Sequence, residues 1–296
     1  MDDHAQPEPR GPLDRTVLGP DLVREAGLSR LDVVDEIDST NAELVRRATT
    51  DPAGWGDLSV LVAEHQSAGR GRLHRAWDSP VGESVAVSIV LRPHNRDGRP
   101  LPTQGYSWFS PLAALALREA LAVLAGIEAC LKWPNDVIVQ GRKISGILAQ
   151  LAPGANGAPP AVVLGTGINV AQTEEELPVP TATSMLLACG REVRREDILT
   201  AYLSAFARRY REFCEADGDP EVPLSGGRGL WGQVEDATIT LGKRVRVELP
   251  GGQTLVGRAT GLDSHGALRV VEEDGSRHSV AAGDVVHLRP ADGGYA

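Results

Sequence analysis

Aromatic residues are scarce in this 296-residue chain: three Phe, four Tyr and five Trp make up 4% of it. That scarcity argues against a stacking surface for single-stranded nucleic acid, which needs a ring for each base it holds. Cysteine is scarcer still. Cys130, Cys189 and Cys214 are an odd number at wide spacing, which excludes a disulfide framework and a CxxC metal pair and leaves buried free thiols as the expectation. Basic charge is also short: 30 Lys plus Arg against 40 Asp plus Glu give a net charge of −10. The chain as a whole repels polyanions, so any phosphate site must be a local positive patch. Met1 to Arg15 carries neither a basic n-region nor an apolar h-region, so no signal peptide is expected. The uncharged stretch from Ile144 to Thr173 holds three prolines and five glycines, which excludes a membrane helix there. The expectation is a cytoplasmic protein with no membrane partner.

What is present suffices for a folded chain. Hydrophobic residues are 42% and charged residues 24%, enough to fill a core, and the length suggests about two domains. A flexible N-terminal tail is expected over residues 1–28. Leu58–Ala63 and Val85–Leu91 read as strands, and Ser110–Cys130 as a helix with apolar residues near a 3.6 spacing. Val137–Val139 and Ile144–Gln150 flank a turn at Gln140-Gly141, a hairpin signal. Ala161–Leu164 is a further strand running into a glycine turn, and Ile198, Tyr202, Phe206, Tyr210 and Phe213 mark a second long helix. Beyond a boundary near Glu235 the texture changes to five short β-rich runs separated by tight turns, which predicts a small barrel over 235–290. The catalytic domain then spans 29–234.

Four segments carry chemistry. Gly69-Arg70-Gly71-Arg72-Leu73-His74-Arg75-Ala76-Trp77 packs three arginines into six residues, just after a strand. Its glycines admit close backbone approach, its guanidinium forks match phosphate oxygens, and Trp77 can pack on a purine. A solvated basic loop has the same composition. Lys132-Trp133-Pro134-Asn135-Asp136, with Lys143 to Leu148 after the hairpin, brings a lysine back beside a carboxylate. Such a lysine can neutralise an attacking carboxylate and an α-phosphate, although a surface ion pair is the bland alternative. Gly165-Thr166-Gly167-Ile168-Asn169-Val170 begins like a dinucleotide fingerprint but lacks the small third residue and the helix after it. Close backbone approach with Asn169 as a polar ligand is the better reading, with a glycine β-turn as the alternative. Asp38-Ser39-Thr40-Asn41-Ala42-Glu43 opens a helix, with Thr40 and Glu43 as a capping box.

In this order the segments resemble the biotin protein ligase family, from about Val34 to Arg289. The resemblance is to the monofunctional type without an N-terminal DNA-binding domain. It implies an α+β fold: a mixed-sheet catalytic domain like the class II aminoacyl-tRNA synthetase core, followed by the small C-terminal barrel. It also implies a two-step reaction using Mg2+ with ATP, and biotin as substrate. Biotinyl-5′-AMP forms first, and a lysine of a biotin carboxyl carrier domain of a carboxylase then takes the biotin. By the same resemblance Ser39, Thr40, Asn41 and Gln66 surround biotin, together with Arg70, Gly71, Arg72 and Lys143. Arg70, Gly71 and Arg72 also cover the adenylate, Arg75 and Trp77 lie near the nucleotide, and Asn169 assists the triphosphate or metal. Lys143 sits at the reacting groups, Arg72 acts with it, and Asp136 positions the incoming amine. Two other classes compete. A lipoate- or octanoate-transferring relative would show an arginine pair, consecutive glycines and a histidine, where this loop reads GRGRLHR. A DNA-binding regulator would need more, and less acidic, chain before Leu31.

Overall fold

The computed structural model describes residues 11–72, 75–154, 158–225, 227–249, 253–281 and 284–287. The strands Arg30–Ile37 (β1), Ser59–Gln66 (β2), Ser84–Leu91 (β3), Ala129–Lys132 (β4), Asp136–Val139 (β5), Arg142–Ala152 (β6) and Ala161–Asn169 (β7) form one sheet. Its order is β1-β2-β3-β7-β6-β5-β4. The sheet is mixed: β1 and β2 run parallel, and the remaining neighbours are antiparallel. All eight residues of β3 are buried because both faces of the sheet are covered. That double cover explains a near-continuous apolar strand.

One face carries the helices Phe109–Ala125 (α3) and Arg195–Glu215 (α5), the latter preceded in the chain by the short helix Met185–Cys189 (α4); α3 and α5 pack on each other through Phe109, Phe206, Tyr210 and Phe213. The other carries Thr40–Thr50 (α2), whose Leu44 and Ala48 meet Leu61, Val90 and Val163. The stretch Thr103–Ala125 is apolar and long enough to cross a membrane, but it is the core helix of this layer, and Leu112, Leu117 and Leu121 are fully buried in it. The helix is shorter than the Ser110–Cys130 expected. Gly126 adopts φ 64°, and Ile127 N–H donates back to Leu121 O at 3.2 Å. This is a glycine C-cap that leaves Ile127 on the apolar face after the helix has ended.

The N-terminal segment departs from the tail expected over 1–28. Pro20–Ala26 is a helix (α1), and Leu13, Leu18 and Leu22 join the main core. Polar contacts hold it as well: Leu13 N–H donates to Glu64, Arg195 Nη2 to Gly11 O at 2.9 Å, and Asp14 N–H to Glu196 at 2.7 Å. The apolar residues were too widely spaced to register as an element. The first ten residues of that tail lie outside those described.

The C-terminal run forms Arg244–Glu248 (β8), Thr254–Leu262 (β9), Leu268–Val271 (β10), Arg277–Val280 (β11) and Asp284–His287 (β12), close to the sequence reading. They make an antiparallel sheet in the order β11-β10-β9-β8-β12, and among the described residues its two edge strands do not pair. The boundary expected near Glu235 falls inside a helix, Leu230–Ala237 (α6). Glu235 accepts from Leu262 N–H at 2.8 Å, so this helix joins the two units instead of separating them. Two indoles fasten them further: Trp108 Nε1 donates to Ser264 O and Trp133 Nε1 to Gly266 O, each at 3.0 Å. All three cysteines are free, and burial pushes the Cys214 thiol up to about 12.

Candidate active site

A cavity of about 810 Å³ opens on the α2 side of the sheet. Ser39, Thr40, Asn41, Gln66, Arg70, Gly71, Arg72, Arg75, Trp77, Asp136, Lys143 and Asn169 all line it. The candidate catalytic and binding residues expected from the sequence therefore converge on one space, although they come from distant parts of the chain.

At one end stands the N-terminus of α2. Its cap is Ser39, whose Oγ accepts from Ala42 N–H at 3.4 Å. The capping box expected between Thr40 and Glu43 does not form, because Thr40 already lies inside the helix and Glu43 pairs with Arg46 and Arg47. Thr40 turns to Gln66 instead, donating to its Oε1 from the backbone at 2.8 Å and from the hydroxyl at 3.1 Å. Asn41 donates to Leu148 O at 3.0 Å and Gln150 Oε1 at 3.1 Å, and accepts from Ser88 Oγ at 2.6 Å. Its amide is thus hydrogen-bonded to the sheet, which docks α2 at the cavity wall. That docking needs Gly165, where a Cβ would overlap the Asn41 side chain. With Oε1 committed, Gln66 keeps its amide N–H groups for the cavity.

The arginine segment folds back on itself. Gly71 N–H donates to Arg75 O at 2.7 Å and Trp77 N–H to Gly69 O at 2.9 Å. Leu73 and His74 lie outside the described residues. The segment returns with the Trp77 indole resting on Gly146 of β6 and Gly167 of β7, a paired position in the sheet. A side chain at Gly167 would occupy the ring itself. The glycines of Gly165-Thr166-Gly167 therefore lie inside β7 and not in the turn expected after Leu164: the strand runs on to Asn169. The residue between them points the other way, with Thr166 Oγ1 2.8 Å from Tyr202 OH on α5.

Lys143 reaches the cavity through a β-bulge. Val137 pairs with Ser145 but Ile138 pairs with Lys143, so Ile144 is an extra residue on β6. Such an insertion re-aims the neighbouring side chain. The Lys143 backbone leaves the hairpin to bond the segment opposite: its N–H donates to Thr181 O and its O accepts from Thr183 N–H, both at 2.8 Å. Lys143 Nζ then lies 2.7 Å from Asp136 Oδ1. Asn169 is held by donating to Thr183 O at 2.9 Å.

Several residues of the site escaped the sequence reading. Ser88 ties Thr40 and Asn41 together, and its only signal was a lone hydroxyl in an apolar strand. Val179 also lines the wall, and Glu248 lines it from β8. No local pattern announces that second approach.

Residues 34–169 match the Biotin/lipoate A/B protein ligase family, and residues 240–288 match the Biotin protein ligase C terminal domain. The chain is 38% identical to the biotin–[acetyl-CoA-carboxylase] ligase of Mycobacterium tuberculosis over 286 residues, 95% of this chain and 97% of that one. It belongs to the biotin protein ligase family. The bifunctional ligase/repressor BirA of Bacillus subtilis is 30% identical over 94% of this chain and 78% of its own length. Among solved structures, biotin protein ligase from Aquifex aeolicus in complex with biotin and ATP superposes with a TM-score of 0.68. It is 26% identical, covering 89% of this chain and all of that one. A biotin protein ligase needs one space for a small acid, a nucleotide and the atoms that join them. The cavity described above is one space lined by a polar cap, a cationic loop and a lysine beside a carboxylate.

Proposed function

We propose that this chain is a biotin–[biotin carboxyl-carrier protein] ligase, and that the cavity is where both of its steps occur. The observation that carries the reading is Lys143, set beside Asp136 in the same cavity that the Ser39–Gln66 cap and the arginine loop line. In the first step a biotin carboxylate oxygen bonds the α-phosphorus of ATP, the α–β bridging bond breaks, and pyrophosphate leaves. Negative charge then gathers where the Lys143 ammonium stands, which lowers the barrier. Mg2+ bound with the triphosphate would draw off charge from the leaving pyrophosphate; no cluster of three His, Cys, Asp or Glu stands ready for it among the described residues, so the phosphates would supply most of its ligands, with Asp136, Asn169 or Glu248 on the cavity wall adding an oxygen. In the second step the acceptor lysine's amine attacks the biotinyl carbonyl, the bond to AMP breaks, and the amine gives up a proton. Asp136 orients that amine.

Ser39, Thr40 and Gln66 meet the polar ring of biotin, and Asn41 holds α2 in place for them. Arg70, Gly71 and Arg72 cover the adenylate phosphate, and Arg75 and Trp77 lie at the nucleotide. We read the mixed sheet as the synthetase-like core that the family resemblance implies, and the C-terminal sheet as its small barrel. Consumption of ATP and free thiols fit a cytoplasmic setting, and the acceptor is the biotin carboxyl carrier domain of a carboxylase.

The test is mass spectrometry of an isolated acceptor domain after incubation with the protein, ATP and biotin. A biotinyl mass increase that needs both small molecules is expected. An unmodified acceptor, or lipoylation under the same conditions, rejects the reading.

A further inference from the structure

Gln172 lies just beyond β7, almost fully buried and off the cavity wall. Its Nε2 donates to Ser79 Oγ at 3.0 Å and to Asn169 Oδ1 at 3.3 Å. Ser79 is two residues past Trp77, at the return of the arginine loop. Asn169 donates in turn to Thr183 O, and Thr183 N–H donates to Lys143 O. A hydrogen-bonded path thus runs from Ser79, at the end of the loop, to the backbone of the reacting lysine, and among the described residues Gln172 is the side chain that spans its two halves.

The same side chain carries a burden. Its Oε1 is buried and accepts no hydrogen bond among the described residues. A buried acceptor left unmatched is destabilising, and a methionine of similar shape would remove it without opening a cavity. Stability alone does not favour glutamine here. Local departures of this kind concentrate where function requires them.

We propose that Gln172 is a positioning residue that couples the seating of the Trp77–Ser79 return of the arginine loop to the alignment of Asn169 and Lys143. The proposal rests on the roles given above to the arginine loop and to Lys143. It predicts that the loop and the lysine loosen together when Gln172 cannot donate, so that adenylate forms more slowly and escapes more readily.

The experiment compares wild type, Gln172→Met, Ser79→Ala and the double variant. Three readings are taken: melting temperature, biotin- and ATP-dependent pyrophosphate release, and biotinylation of albumin by escaped adenylate in the absence of acceptor. Gln172→Met is expected to melt near the wild-type temperature, because it removes the unmatched acceptor together with the two donated bonds. Its adenylation should fall and its albumin labelling per adenylate formed should rise, each by about five- to tenfold, the worth of one hydrogen bond. Ser79→Ala should raise labelling similarly, and the double variant should be no worse than Gln172→Met, as expected of residues on one path. Unchanged labelling, fully additive effects, or an activity loss that tracks a fall in melting temperature would each overturn the coupling. Lys143→Ala, measured alongside, tests the underlying reading separately. Normal pyrophosphate release there rejects the lysine's role, while the labelling comparison still decides whether Gln172 holds the loop.

Discussion

Lys143 Nζ lies 2.7 Å from Asp136 Oδ1, although the two residues begin separate strands and a bulge intervenes. The pair is partly shielded, with the lysine side chain 28% and the aspartate 13% exposed. An incoming carboxylate can therefore compete with Asp136 for the ammonium, which in the proposed mechanism frees the aspartate for the amine of the second step.

Lys143→Ala removes that ammonium from the reacting centre. Adenylation should fall by roughly 10²–10³-fold, the usual effect of deleting a preorganised donor, with little change in melting temperature. Pyrophosphate release in the presence of biotin and ATP measures it.

Arg72 lines the cavity from the arginine loop. A charge-assisted hydrogen bond is worth about 1.5–3 kcal/mol, so Arg72→Gly should raise adenylate release by roughly 10–150-fold. Adenylate should still form, because Lys143 remains. Radiolabelled adenylate release and albumin biotinylation report the leak, and wild-type levels of both would reject the covering role.

Biotin should be used far in preference to lipoate. The groups at Ser39, Thr40 and Gln66 would be left unmatched by a ligand without a urea-like ring, at about 1–3 kcal/mol each. Adenylation assays with the two acids decide this, and equal rates would contradict it.

Gly167→Ala forces a Cβ into the Trp77 ring. The substitution should cost about 1–3 kcal/mol of stability through overpacking. In a Trp77→Ala background, where the ring is gone, the cost should largely disappear. Denaturant titration of the four proteins measures the difference.

Asp57 supplies a pH signature remote from the cavity. Burial holds its carboxyl above the usual carboxylate range, against the lowering effect of donors from Arg92 N–H at 2.7 Å and Tyr210 OH at 2.8 Å and of the nearby His94. Between the ordinary and the raised value the folded chain keeps a proton that the unfolded chain has lost. This group's contribution is therefore complete below that window and declines as pH rises through it. Asp57→Asn retains an acceptor for both donors, so it should raise the melting temperature at pH 7 and flatten that decline.

Local pattern made much of this molecule legible. The apolar run of β3, the Gln140-Gly141 turn and the alternation in β8 to β11 each reflect chemistry within a few residues. The site could be assembled because its parts are compositionally unusual: clustered arginines, paired glycines, a lysine after a tight turn. What stayed hidden depends on partners far away in sequence. Gly165 and Gly167 look like turn residues until Asn41 and Trp77 are seen resting on them. Leu13 and Leu18 look like tail residues until α1 brings them to the core. Asn41 and Gln172 give no hint in sequence of which atoms consume their amides.

Trp133 stands between Lys132 and the Asp136 strand, yet its indole answers to a carbonyl of the C-terminal unit at Gly266. The two units are therefore not interchangeable parts. A C-terminal unit transplanted from another ligase would have to present carbonyls at the positions of Ser264 and Gly266, or Trp108 and Trp133 would each bury an unmatched N–H. The defect would surface in the catalytic strands and not at the seam. Chimeras that keep the turn from Asp263 to Ala267 with its own indoles should retain ligation, and those that split them should lose it.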